Sequence, residues 1–193
     1  MPEKPKLDLD DILKAEYDYI ANTTFQANED RSRVASFYFV TLGSLVAAIL
    51  GSMISANDLE SVSLAFSGLF VVLTVLGALT LAQLARLRAA WHESAQAMNQ
   101  IKDYYIKHYK EIKPAFKWRA GTLPPTDKPN SIANLMAAEI AFLGAITSAA
   151  AMYFFLLFFG SVAWWGWTLV FITLVVASIF LWAWYKHLLV DDQ

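Results

Sequence analysis

Glu139 is the side chain with the most chemistry to explain. It is the one carboxyl inside an apolar run, and helical rise places it ~10 Å from the start of that run at Ile132. An ionisable group at such depth is costly and commonly functional. On a helix, Ala137, Ala141, Gly144, Ser148 and Ala151 form a stripe of small side chains that suits close packing. Glu139 falls nearly opposite, beside Ile132, Leu135, Ile146 and Tyr153. Such a carboxyl can meet a neighbouring copy of the chain, pair with Arg86 or Arg88, or stay protonated. The structural alternative is a group near enough to the headgroups to be wetted. Gln83, Thr74, Thr80 and Thr147 are the other obvious polar groups in the apolar runs, too few to specify a transported solute.

A second cluster lies where polar sequence gives way to apolar. In "EDRSR", Glu29 and Arg33 are four apart and can pair along one helix face. With Gln26, Asp30, Arg86 and Arg88 they make a candidate charged collar at a cytoplasmic vestibule; an ordinary interfacial salt bridge explains them as simply. A third cluster, "KDYYIKHYKEIKPAFKWR", mixes Lys107, Lys110, Lys113, Lys117 and Arg119 with aromatics. Basic residues among aromatics can bind nucleic acid or anionic lipid. A nucleic-acid partner is not expected. The expectation is a solvated face paired with acids elsewhere in the chain, or a surface for a cytoplasmic protein.

No constellation supports catalysis. His92, His108 and His187 are scattered without zinc spacing, and there is no glycine-rich phosphate loop, no serine elbow and no cysteine. Asp8, Asp10 and Asp11 read as helix-start acids. The chain is expected to be no enzyme and to use no cofactor or metal.

The elements that position these residues follow from hydropathy. The 193 residues are 57% hydrophobic, above the range of globular chains, so a second solvent is implied. Four stretches, 34–54, 62–84, 132–159 and 162–185, are long and apolar enough to span a bilayer. All 15 lysines and arginines fall before the first stretch, between the second and third, or after the fourth. The positive-inside rule places those segments, and both termini, in the cytoplasm. In the first stretch Gly43, Ala47 and Gly51 recur every four residues, and are expected to pack against the small residues Ala78, Ala82, Ala85 and Ala89 of the second.

The first two spans are expected to continue below the membrane as helical arms, 1–33 and 86–113. Leu84, Leu87, Trp91, Ser94, Met98, Ile101, Tyr105, His108 and Ile112 step by threes and fours, a coiled-coil-like seam. Leu13, Tyr17, Ile20, Thr24, Ala27 and Val34 supply a partner stripe. The first arm carries eight acids and five bases; 86–130 carries four acids and nine bases. The two are expected to zip together, within or between chains. Residues 114–131, rich in proline, form a return linker, and 186–193 a tail.

"YDYIANTTFQANEDRSRV", the small-residue span "LGSLVAAILG" and the long arm after Leu84 resemble, in layout, SLATT-type bacterial membrane proteins, over about residues 10–113. The resemblance implies an N-terminal helix running into a transmembrane hairpin, then a long cytoplasmic helix. It also implies a role as an oligomeric pore-forming effector, often beside a nucleotide-signal sensor. The chain departs from that layout by its second apolar pair and carries no sensor of its own. The expected fold is all-α, a four-helix transmembrane bundle of two hairpins with long cytoplasmic extensions, in the bacterial inner membrane. The expected function is an effector gated by its arms. The alternatives are an anchor that recruits a cytoplasmic partner and a small-solute or ion transporter.

Overall fold

The structure, a computed structural model, describes residues 8–51, 56–160 and 162–190. Four helices dominate it: α1 Leu9–Gly51, α2 Ala56–His108, α3 Ile132–Phe158 and α4 Trp164–Val190. There is no strand among the described residues. Each helix contains a window long and apolar enough to cross a membrane. At 1.5 Å per residue α1 is ~65 Å long and α2 ~80 Å, about twice a hydrocarbon core or more. The excess is the polar part of each helix, which projects beyond the apolar part as an arm.

α1 is unbroken across the polar-to-apolar boundary because nothing in it can stop a helix: no proline occurs, and the first glycine is Gly43. It starts at Asp8, whose side chain accepts from the Asp10 amide at 3.0 Å. α2 differs from expectation at both ends. It begins at Ala56, so 56–61, expected as loop, are helical; the run lacks glycine and proline. It ends at His108 rather than 113. Pro114 has no N–H and its ring would collide with the carbonyl four residues back, so 110–115 tightens into a 3-10 turn instead. α4 runs on to Val190, taking the start of the expected tail into the helix. Expected span residues 52–54 lie outside the described residues.

α1 and α2 run antiparallel along their whole length. Tyr105 donates to Asp10 at the arm tips, Tyr38 meets Gly77 in the apolar part, and Leu42, Leu45 and Ile49 pack on Phe70 and Leu73 at the far end. α3 lies antiparallel to α2, and α4 returns beside α3 and α2. One cluster unites all four helices near the arms: Ala35 and Tyr38 with Leu81, Leu84, Ala85, Ala137, Ile140, Ala141, Leu181, Tyr185 and Leu189. At the opposite end Phe70 stacks on Phe154, ring centroids 5.5 Å apart.

The arms depart from a simple two-helix zipper. The α1 stripe lies where expected, with Ile20 and Ala27 buried. On α2 the deepest residues are Arg88, Ala95 and Asn99, shifted one position from the expected seam at Leu87, Ser94 and Met98. The shift arises because the arm is covered from two sides. α1 takes the face with Ile101 and Tyr105, and the linker folds back over the other, placing Trp118, Leu123 and Pro124 beside Trp91, Ala95 and Asn99. Within this chain, no ion pair joins the arms among the described residues, and both ion pairs found there lie within α1.

Candidate functional site

The apolar parts of the helices hold their polar groups in two ways. Hydroxyls are returned to the backbone. Ser67 Oγ donates to the Ala151 carbonyl at 2.9 Å, Thr80 Oγ1 to the Leu76 carbonyl at 2.8 Å and Thr147 Oγ1 to the Gly144 carbonyl at 2.8 Å. Thr74, Thr147 and Ser148 form one linked set, with hydroxyl oxygens 2.9 Å and 3.2 Å apart. Such pairing is what a backbone or hydroxyl group needs in hydrocarbon, where no water compensates it. A cleft of ≈ 320 Å³ beside this set is lined by Ser67, Thr74, Ser148 and Thr173 among apolar residues.

The exception is Tyr38. Its ring crosses from α1 past Gly77 of α2 to the α3 surface at Gly144, and its hydroxyl is buried beside Thr147 without a well-formed hydrogen bond. Gly77 is what admits the ring: a Cβ there would stand 2.9 Å from the Tyr38 hydroxyl. Sequence reasoning overlooked Tyr38; a lone tyrosine four residues into an apolar run carries no signal without its glycine partner 39 residues on.

Glu139 sits on the outward face of α3, exposed with Ile132, Leu135, Phe142 and Ile146. Among the described residues no ion pair links it to Arg86 or Arg88. Of the three alternatives for Glu139, the pairing is the one not formed within this chain: Arg88 is turned inward, buried at 7% exposure, while Arg86 points out. The small stripe opposite Glu139 faces the core, with Ala137, Ala141, Gly144 and Ala151 buried and Ser148 half-buried. The α1 stripe does not pack on α2. Gly43, Ala47 and Gly51 are exposed, and a Cβ on Gly43 or Gly51 would meet nothing within 4 Å. α1 turns Tyr38, Leu42, Leu45 and Ile49 to the bundle instead, because those larger side chains fill the space beside Leu73, Leu76 and Gly77.

The collar residues do not converge. Arg33 pairs with Glu29 at 3.4 Å and Asp30 at 3.5 Å, on the surface, where such pairs contribute little. Gln26 and Arg86 are exposed, and Gln83 opens onto an outer groove with Arg33, Phe37 and Thr80. Lys107, Lys110, Lys113 and Lys117 are exposed and Arg119 is half-buried; Lys117 lies 5.5 Å from the Trp118 ring.

What converges is a different set, just below the four-helix cluster. Arg31 is one turn down α1 from Ala35, and Arg88 one turn on from Leu84 along α2. Their charges are close enough to repel, and Tyr185 of α4 lies within electrostatic reach of both. Arg88 Nε donates to the Thr126 carbonyl at 3.0 Å, tying the linker to the arm, and its guanidinium lies 4.6 Å from the Trp91 ring. Arg31 Nη2 donates to Asn28 Oδ1 at 2.8 Å. One turn further on, the His92 Nδ1 is buried with no hydrogen-bond partner among the described residues. Burial holds that imidazole below its ordinary pKa, the Arg88 charge pushes the same way and Glu93 opposes. Spacing could have pointed to Arg31 and Arg88, since each continues a buried helical stripe by one turn.

No protein-family model matches the sequence, and no curated protein or solved structure matches it significantly.

Proposed function

We propose that the chain is a multi-pass protein of the bacterial inner membrane, with both termini cytoplasmic, that acts as an oligomeric effector. Its arms receive a signal or a cytoplasmic partner, and its spans rearrange between copies to permeabilise the bilayer. The observation that carries this reading is Glu139, a carboxyl exposed on an otherwise apolar outer face of α3. In lipid such a group is stabilised by a neighbouring copy or by protonation. The unbroken passage of α1 and α2 from arm to span supports the gating part, because a rigid helix transmits displacement that a loop would absorb.

Membrane potential measured during expression tests the reading. Wild type is expected to depolarise cells and arrest growth, and Glu139→Gln to reduce depolarisation about tenfold. Equal depolarisation from both proteins removes Glu139 from the mechanism. The second reading is a membrane anchor. It is favoured by the groove of ≈ 590 Å³ at the arm tips, lined by Asp10, Leu13, Tyr17, Ile101, Tyr105 and Phe116. It predicts a co-purifying soluble partner and no ion flux at any expression level. A transporter has less support, since the hydroxyls beside the intramembrane cleft are bonded to one another and to backbone carbonyls of α2, α3 and α4.

A further inference from the structure

We propose that Arg31 and Arg88, brought together below the four-helix cluster beside Tyr185, form a binding site for a phosphate anion, supplied at that depth by the headgroup of an anionic lipid. The argument begins with charge balance. Arg88 is buried at 7% exposure, and the α1 charge that reaches it is a second guanidinium, Arg31, rather than a carboxylate. Among the described residues neither takes part in an ion pair; the acids of α1 that do form pairs serve the exposed Arg33. A buried cation without a counter-charge is strongly unfavourable, and two together more so, unless an anion completes the site.

The partners each arginine does have are neutral and leave capacity. Arg88 commits Nε to the Thr126 carbonyl, and Arg31 commits Nη2 to Asn28. A guanidinium has five donors in a planar fork whose geometry matches two oxygens of a phosphate. Arg31 is half-buried and Arg88 is the deeper of the two, so an anion would reach the pair past Arg31. A third cation at the same end of the bundle, Lys186, is also held by a neutral acceptor, Asn134 Oδ1 at 3.4 Å.

Position selects the source. Arg31 and Arg88 stand within one turn of the buried apolar cluster, and Trp182 and Tyr185 mark the same level on α4. On the membrane reading this is the inner headgroup layer, where phosphates of anionic lipids are concentrated. The proposal rests on the chain lying in a bilayer and not on its permeabilising one, so it can stand or fall apart from the depolarisation assay.

The test uses the purified full-length chain in neutral detergent. Native mass spectrometry reads retention of phosphatidylglycerol against phosphatidylcholine, for wild type and for Arg31→Gln, which leaves the Arg88–Thr126 contact in place. Wild type is expected to hold phosphatidylglycerol about tenfold more tightly than phosphatidylcholine, and Arg31→Gln to lose that preference. Inorganic phosphate is the second probe. If it raises the melting temperature of wild type but not of Arg31→Gln, while phosphatidylglycerol is held no better than phosphatidylcholine, the site stands and its ligand is a soluble phosphate. Circular dichroism establishes that the variant is folded; should it not be, Arg31→Lys keeps the charge, loses the fork, and is expected to bind with intermediate strength. Equal retention of both lipids by wild type, with no response to phosphate, overturns the site. So does an undiminished preference in a folded Arg31→Gln.

Discussion

α1 and α3 carry nearly the same pattern of small residues and use it in opposite ways. In α3, Ala137, Ala141, Gly144 and Ala151 are buried among three other helices. In α1, Gly43, Ala47 and Gly51 look outward, and the helix meets its neighbours through Tyr38, Leu42 and Leu45. Small residues only permit close approach. A large side chain on the facing helix must then occupy the room, as Leu181 does over Gly144 and Tyr38 over Gly77. In lipid this matters more than in water, because apolar burial between spans has no hydrophobic drive and close packing supplies the association.

The largest test of that contrast is at Gly77, the hole that receives the Tyr38 ring. Gly77→Val is expected to destabilise the bundle by about 3 kcal/mol, the upper end for overpacking, because a rigid buried ring cannot turn aside. Unfolding by a denaturing detergent, followed by circular dichroism, measures it. Gly144→Ala is milder. The added Cβ would stand 2.8 Å from Leu181 Cδ1, the mobile end of its side chain, so about 1 kcal/mol is expected from the same titration. An unchanged midpoint at either glycine would mean that the facing side chain does not occupy the room assigned to it.

Tyr38→Phe sharpens the comparison by separating ring from hydroxyl. The ring supplies the packing against Gly77 and the hydroxyl is buried beside Thr147 without a well-formed bond. Removing a poorly satisfied buried hydroxyl is expected to leave stability unchanged or raise it by up to about 1 kcal/mol. A loss of that size would instead give the hydroxyl a strong bond to Thr147 and make Tyr38 a polar as well as a steric anchor.

Much of the architecture was legible in the sequence because it depends on long local patterns. Four apolar runs, the absence of helix breakers before Gly43 in α1, and the stripe from Leu13 to Val34 are each carried by many residues, and each is seen in the helices. The end of α2 was misread by five residues because the effect of Pro114 reaches back a full turn to the carbonyl of Lys110. The seam on α2 was displaced because a linker rich in proline was treated as a tether, whereas Trp118, Leu123 and Thr126 cover the arm and make Arg88 and Asn99 interior. Spacing could mark Arg31 and Arg88 one at a time, but their approach to each other and the Tyr38–Gly77 contact depend on register between helices, which periodicity within one helix cannot supply.

The smallest effect tests the outward stripe itself. Gly43→Ala places a methyl where nothing lies within 4 Å, so no contact is strained. Alanine also loses less backbone freedom than glycine on forming a helix, worth up to about 1 kcal/mol in a solvent-exposed interior and less in lipid, where the helix persists on dissociation. The expected outcome is a change of a few tenths of a kcal/mol toward greater stability, opposite in sign to Gly144→Ala although the substitution is the same. The two signs together are the contrast between the stripes reduced to one methyl group. If Gly43→Ala destabilises by more than about 1 kcal/mol, some backbone approaches closely there, as small-residue stripes allow between spans. With no atom of the described residues within 4 Å of a Cβ at Gly43, that backbone would belong to a second copy, and crosslinking between Gly43→Cys chains in native membranes would then trap a dimer.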